Sequence, residues 1–386
     1  MKIVIAPDSF KESLTAVEVA NEIEKGFREV LPHAQYIHQP IADGGEGTVD
    51  TLIAATNGQK VPLTVKGPLG TNVQTYYGIL GNTPQSESQT AIIEVAKASG
   101  LDLIPKTLRD PRITSSIGTG ELILDALNRG IKHIILGLGG SATVDGGTGI
   151  LSALGVKFLD KNKQVLTPGG IYLKELDMID TTQLHPLIKQ CQFELACDVT
   201  NPLCGETGAS QIFGPQKGAD NHSVHQLDNA LSHFADIWVK SGKEDHREKA
   251  GAGAAGGIGF GLMSILQATM KPGIDLILAI TELDKKIANA DLVITGEGCL
   301  DSQTLNGKAP LGVTRLANHY AVPVIAIGGS IGEDANKLLD NGITALFSIT
   351  PKDLPLPTLL KQAKSHLYAC SRNIAALYHI RPKSDG

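Results

Sequence analysis

Short aliphatic runs that end in polar, glycine-bearing loops and lead into amphipathic stretches set the rhythm at both ends of this chain. Ile3 to Ala6 is one such run; it stops at Pro7, and Asp8, Ser9, Phe10, Lys11 and Glu12 follow at once, which predicts a strand delivering a functional loop. Thr15 and Glu18 make a capping-box pair, after which Ala16, Val19, Ala20, Ile23, Phe27 and Val30 recur at helical spacing. One βα unit is complete by Leu31. A second begins with Tyr36 to Ile41, enters ADGGEG at Ala42 to Gly47 and predicts a helix from Thr48 to Thr56, closed by Gly58.

From Val61 the texture changes. Val61 to Val65, Val73 to Leu80 and Thr90 to Val95 read as strands separated by turn-rich pieces, the signature of a partly antiparallel sheet. A helix from Gly120 to Asn128 leads through Gly130 to the aliphatic run His133 to Leu136 and its loop, LGLGGSATVDGG, at Leu136 to Gly147. Phe193 to Ala196 delivers Asp198, and Ser223 to Val239 predicts a helix carrying Trp238. The βα rhythm returns near Asp291: Leu292 to Thr295 enters a loop at Gly296, Glu297 and Gly298, and Val322 to Ile327 enters one at Gly328, Gly329 and Ser330. Ala345 to Ile349 offers a last strand and Leu359 to Leu377 a final helix. These patterns predict an α/β fold in which a doubly wound parallel-sheet domain, Rossmann-like or flavodoxin-like, is made from residues 1–60 plus 287–386. A second, mixed α/β domain, 61–286, is inserted into it.

Composition narrows the function classes. At 386 residues the chain exceeds the usual single core, and 43 glycines with only 4% aromatics suit a loop-rich α/β enzyme. A net charge of −6 without a basic run argues against nucleic acid as a partner. Cys191, Cys197, Cys204, Cys299 and Cys370 lack paired zinc spacing and read as reduced thiols. The start MKIVIAPDS reaches a charge too early for a signal peptide, so a cytoplasmic protein is expected. Ala250 to Met270 is uncharged but too rich in glycine for a membrane span, and it reads as a buried loop leading into a helix, flexible enough at GAGAAGG for a hinge.

Candidate chemistry gathers in the loops. In LGLGGSATVDGG, glycine allows close backbone approach and positive φ, so amides of Gly139, Gly140 and Ser141 can converge on phosphate oxygens, with the Ser141 and Thr143 hydroxyls as further donors. Gly44 to Thr48, at a predicted helix start, is a second anion cradle. Open parallel sheets gather ligands at the carboxyl ends of their strands, which would set Asp8, Lys11, Asp43, Glu46, Glu297 and Asp301 on one side, the carboxylates suited to Mg²⁺ carrying nucleotide phosphates and Lys11 to charge on a transferred phosphoryl group. No GxxxxGK[ST], HExxH or GxSxG motif is present, which disfavours P-loop, zinc-hydrolase and serine-hydrolase chemistry. Gly137, Gly139 and Ala142 fit GxGxxA with Asp160 about twenty residues on, which keeps a nicotinamide-dependent oxidoreductase of a small hydroxy acid open, although Asp145, Gly146 and Gly147 interrupt the expected helix start. A non-enzymatic binder of small anions also stays open.

Read together, IVIAPDSFKESL, ADGGEGTV, GTGELI, GLGGSATVDGG, ACDVTNPLCGETGAS, FGPQKGA, GAGAAGG and ITGEGCLDSQTLNGK resemble the bacterial type-two glycerate kinases from Met1 to the terminal helix. The resemblance implies an ATP- and Mg²⁺-dependent kinase of D-glycerate, with 2-phosphoglycerate the favoured product and no membrane partner. Oligomeric state stays open. Under that reading Lys11, Asp43, Asp198 and Asp301 are the catalytic candidates, and Asp8, Ser9, Gly44, Gly45 and Glu46 bind substrate. Gly139, Gly140, Ser141, Ala142, Thr143, Gly296, Glu297 and Gly298 bind nucleotide, with Asp8, Asp198 and Glu297 as metal ligands. Relatives carry arginine where this chain has Cys299, and Lys308 is the nearby cation that could stand in for it.

Overall fold

The computed structural model describes residues 1–42, 44–45, 47–81, 89–305, 308–351 and 354–380. Its strands, in chain order, are β1 Lys2–Ile5, β2 Gln35–His38, β3 Gln59–Lys66, β4 Asn72–Ile79, β5 Thr90–Glu94, β6 His133–Gly137, β7 Lys157–Leu159, β8 Met178–Asp180, β9 Gln192–Ala196, β10 Thr269–Lys271, β11 Leu292–Leu300, β12 Val324–Ile331 and β13 Ala345–Ser348. The chain divides into two compact units, Met1–Asp43 with Ile274–Gly386, and Gly44–Gly273. The second unit thus begins earlier than residue 61 and ends before 286. The first shift follows from helix Thr48–Thr56, which packs on β4 and β5; at the far end, helix Gly273–Thr281 precedes helix Leu283–Ile287, and the latter packs on helix Ala309–His319 of the first unit.

In the first unit all strand pairs are parallel and run in the order β13-β12-β11-β1-β2. Helix Ala16–Val30 starts at the expected capping box, with Thr15 and Glu18 each satisfying the other's backbone amide, and buries Val19, Ala20, Ile23 and Phe27. Helix Leu356–His379 packs along it. The two backbones touch at Gly26, where a Cβ would stand 2.7 Å from both the Tyr368 carbonyl oxygen and the Arg372 nitrogen. Glu29 reinforces the crossing by accepting from Arg372 Nε at 2.8 Å.

The sequence pattern misses the length of β11. Gly296, Glu297 and Gly298 are not a loop after the strand but part of it, in register with β12 from Val293 opposite Val324 to Leu300 opposite Ile331. Close approach explains this: a Cβ on Gly296 would lie 2.0 Å from the Ile327 carbonyl oxygen. Gly328 to Ser330 likewise continue β12.

The second unit has a mixed sheet in the order β10-β9-β6-β5-β4-β3, parallel from β5 through β6 and β9 to β10 and antiparallel at β3 and β4. Ile93, Ile134, Leu136, Phe193 and Leu195 line one face of its core, and Phe234 packs edge-to-face on Phe158 and Phe260 at centroid distances of 5.7 and 5.3 Å. β7 pairs antiparallel with β8 in a separate two-stranded ribbon, so it is not the second parallel strand that a nicotinamide-binding unit needs. Asp160 follows it in a tight turn, accepting from the amides of Asn162 and Gln164, both at 2.8 Å. No helix among the described residues is long and apolar enough to cross a membrane.

Gly26→Ala is expected to lower stability, since the added methyl must push two helix backbones apart. Overpacking of this kind costs about 1–3 kcal/mol, which a circular-dichroism melt would read as a fall in Tm of roughly 2–4 °C per kcal/mol for a unit of this size. An unchanged Tm would mean that the two helices have slack at their crossing.

Candidate active site

In the first unit the strand order reverses between β1 and β11, so the carboxyl ends of these two strands are where an open parallel sheet receives a ligand. The chain places Asp8 there. Its amide donates to the Gly296 carbonyl at 2.8 Å, and its Oδ1 accepts from the Ser9 amide at 2.6 Å. Phe10 and Leu14 then close a tight loop by exchanging backbone bonds of 2.8 and 2.9 Å, and Lys11 projects from it, exposed, beside a cavity of about 120 Å³ that Phe10, Gly298, Gly329, Ser330 and Ile349 help to line.

Glu297 sits on the same strand end, buried. Thr304 Oγ1 donates to its Oε1 at 2.6 Å and Lys308 Nζ to its Oε2 at 3.2 Å, while burial pushes the carboxyl up against both partners. Lys308 is therefore engaged as the counter-ion of Glu297 and does not reproduce the fork of a missing guanidinium. Cys299 itself is exposed, and its thiol donates to Asp301 Oδ2 at 3.6 Å. The other oxygen of Asp301 accepts from the Gln303 amide at 2.8 Å.

In the second unit four parallel strands end side by side. Glu94, the last residue of β5, accepts from the Val49 amide at 2.7 Å and so fills the start of helix Thr48–Thr56 from within the fold. Burial pushes this carboxyl up, opposed by that backbone bond and by Lys97. Gly44 and Gly45 lie against the end of β6: a Cβ on Gly137 would stand 2.6 Å from the Gly44 oxygen, and one on Gly139 would stand 3.0 Å from Gly45 Cα. Asp198, exposed beyond β9, accepts from the Gly273 amide at 2.9 Å and so ties the exits of β9 and β10 together. Gly44, Gly45, Gly139 and Asp198 thus share one end of this sheet.

The loop from Leu138 to Gly147 is held from beneath by two buried charges. Asp145, with no exposed surface, accepts from the Ser116 amide at 2.8 Å, Ser116 Oγ at 2.9 Å, the Gly147 amide at 3.0 Å and the Gly149 amide at 3.3 Å. It thereby fills the starts of helices Ile117–Asn128 and Thr148–Ala153 together. This is why the GxGxxA match does not act as a dinucleotide fingerprint: the helix start it would aim at a pyrophosphate already holds an internal carboxylate. Lys217, 3% exposed, donates to Ser141 Oγ and to the Thr143 carbonyl, both at 2.8 Å. Burial pushes its ammonium down to about 7, with Asp145 acting in the opposite direction.

GAGAAGG is buried under the same loop rather than serving as an exposed hinge. Ala255, Gly256 and Gly257 have φ of 53°, 72° and 88°, a Cβ on Gly256 would stand 1.9 Å from the Thr143 oxygen, and the Gly256 carbonyl accepts from the Gly146 amide at 3.0 Å. The amides of Ala142 and Leu138 are spent on Ser99 and Ala196. Those of Gly139 and Gly140, in the exposed tip, have no hydrogen-bond partner among the described residues.

Asp43 and Glu46 lie outside the described residues. Among the described residues no three His, Cys, Asp or Glu side chains come together as a metal cage. Glu94, Asp145 and Lys217 are residues of the candidate site that the sequence pattern passed over; for Asp145 the available signal was a carboxylate placed directly before two glycines.

The profile of the glycerate kinase family matches residues 3–379. The chain is 49% identical, over 386 residues and 100% of both chains, to the glycerate 2-kinase of Escherichia coli (strain K12), and 49% identical over 376 residues, 97% of both, to the glycerate kinase of Bacillus subtilis (strain 168). A solved structure from Salmonella typhimurium LT2 superposes with a TM-score of 0.88 at 46% identity, covering 98% of each chain. With a match of this extent the chain belongs to the glycerate kinase family, phosphotransferases that take ATP as donor.

Proposed function

We propose that the protein transfers the γ-phosphoryl group of MgATP to the secondary hydroxyl of D-glycerate, giving 2-phosphoglycerate. The observation that carries the reading is the tip of the glycine loop, where the Gly139 and Gly140 amides have no partner among the described residues while Asp145 and Glu94 fill the neighbouring helix starts. An external polyanion is the partner such amides suit. The name of the Escherichia coli relative, a glycerate 2-kinase, supports transfer to the 2-position.

Mg²⁺ bound to nucleotide typically keeps waters and takes one or two carboxylates beside the phosphate oxygens. Exposed or half-buried carboxylates at strand ends, such as Asp8 and Asp198, are of the kind that mode uses. Glu297 suits the role less well, because its two oxygens already accept from Thr304 and Lys308. When bound, the ion neutralises charge on the phosphates. Of the residues that the resemblance implicates, Ser9, Lys11 and Asp301 belong to the first unit and Gly44 and Gly45 to the second; in this reading Lys11 opposes charge that grows on the transferred group.

Phosphorus NMR of the product from ATP and D-glycerate is expected to show phosphate on the secondary carbon. A resonance from the 3-phosphate would reject the regiochemistry. Lys11→Met is expected to lower kcat on the order of a hundredfold, about 3 kcal/mol, with far smaller changes in KM for either substrate. Survival of kcat within about threefold, roughly 0.7 kcal/mol, would make Lys11 a solvated surface lysine and would withdraw the assignment around Asp8.

Cys299→Arg tests the other departure. Because Lys308 is tied to Glu297, a guanidinium at 299 adds a further cation at the strand end, and KM for the anionic substrate should fall without loss of turnover. An unchanged KM would place residue 299 outside the binding surface.

A further inference from the structure

We propose that Lys217 is the positioning residue of the glycine loop: from below, its ammonium fixes Ser141 and Thr143 so that the loop presents one hydroxyl hydrogen and a buried positive charge to the polyphosphate it receives. The inference rests on the reading of this loop as a phosphate site and names the group that would make it one.

The geometry is specific. A lysine ammonium can only donate. With Nζ 2.8 Å from Ser141 Oγ, the serine oxygen accepts from Lys217, which turns the hydroxyl's own hydrogen away from Lys217 and leaves it for another acceptor. The second bond, 2.8 Å to the Thr143 carbonyl, pins the backbone two residues further along, so the same cation sets both the side chain and the turn. Lysine is almost never fully buried unless paired. The charged group acting on this one is Asp145, and Asp145 already accepts four hydrogen bonds from Ser116, Gly147 and Gly149. The carboxylate is thus committed to the two helix starts, and the ammonium is committed to the loop.

That division has an electrostatic consequence. Burial pushes the lysine down to about 7 against the pull of Asp145, so its proton is held more loosely than that of a solvated lysine. An anion arriving on the Gly139 and Gly140 amides favours the charged form, and binding should draw in a proton. A lysine with a purely structural role beneath the loop would show no such linkage.

The test uses inorganic tripolyphosphate, which carries the polyanion without base, sugar or acceptor chemistry, on the full-length protein at pH 8. Calorimetry in two buffers of different ionisation enthalpy measures affinity and proton uptake. Wild type is expected to bind and to take up more protons than Lys217→Met. The variant should bind roughly tenfold or more weakly, as loss of a bond from a charged donor implies. In steady state KM for ATP should rise by a similar factor while KM for glycerate stays close to wild type. Equal affinity and equal proton uptake in the two proteins would overturn the proposal. Should Lys217→Met fail to fold, Ser141→Ala decides instead: with Lys217 intact it is expected to weaken tripolyphosphate binding by a similar factor, and unchanged binding would overturn the proposal. Failure of the wild type to bind tripolyphosphate, with kinase activity retained, would reject the loop as the phosphate site.

Discussion

Filling helix starts from inside the fold is the constraint on which the second unit depends. A helix start leaves backbone donors without partners, and in a buried position each must be satisfied. Asp145 satisfies donors at two helices and Glu94 at a third, and both carboxylates are taken out of water to do so. A buried carboxylate is costly unless its hydrogen bonds are complete. Asp145 meets that condition with four, and Lys217 adds a nearby positive charge. What remains exposed is the glycine tip at Gly139 and Gly140, whose amides have no partner among the described residues.

Such a loop is flexible in sequence and constrained in structure, and the glycines beneath it explain the difference. Gly256 cannot carry a side chain because the Thr143 carbonyl occupies the space, and Gly170 cannot because the Val144 carbonyl stands 1.9 Å from where its Cβ would be. Backbone packed directly on backbone cannot move without breaking several contacts together. GAGAAGG and the glycine at 170 are therefore the floor on which GLGGSATVDGG rests. The first unit uses the same device for another end: Gly296 lets β11 and β12 stay paired past the point where the aliphatic run stops, which carries Glu297 and Cys299 forward on a paired strand with Asp301 just beyond it.

Legibility followed the range of the interaction. The capping box at Thr15 and Glu18, the helix from Thr48 and the parallel strand rhythm at both chain ends are local patterns, and the structure reproduces them nearly residue for residue. β11 was read short because a run of TGEG has low strand propensity and gives no local sign of the neighbouring strand that holds it. Gly139, Gly140 and Ser141 were legible as a loop, whereas Lys217, 76 residues away in sequence from Ser141, was not, because nothing local distinguishes a buried lysine from a solvated one. The GxGxxA match misled for a related reason: the motif specifies a turn and a helix start, but the occupant of that start is a carboxylate three residues past the alanine, set by tertiary packing.

The departure at Cys299 can be weighed on the same terms. An arginine on that exposed strand position would meet Asp301, whose Oδ2 here accepts only a weak thiol donor, and would add a positive charge that Lys308 cannot supply while it neutralises Glu297. Cysteine keeps the strand pairing with Ser330 intact and removes only the cation. The backbone that shapes this strand end is therefore preserved and its charge is not, so the substitution changes the electrostatics of the strand end rather than whether it forms.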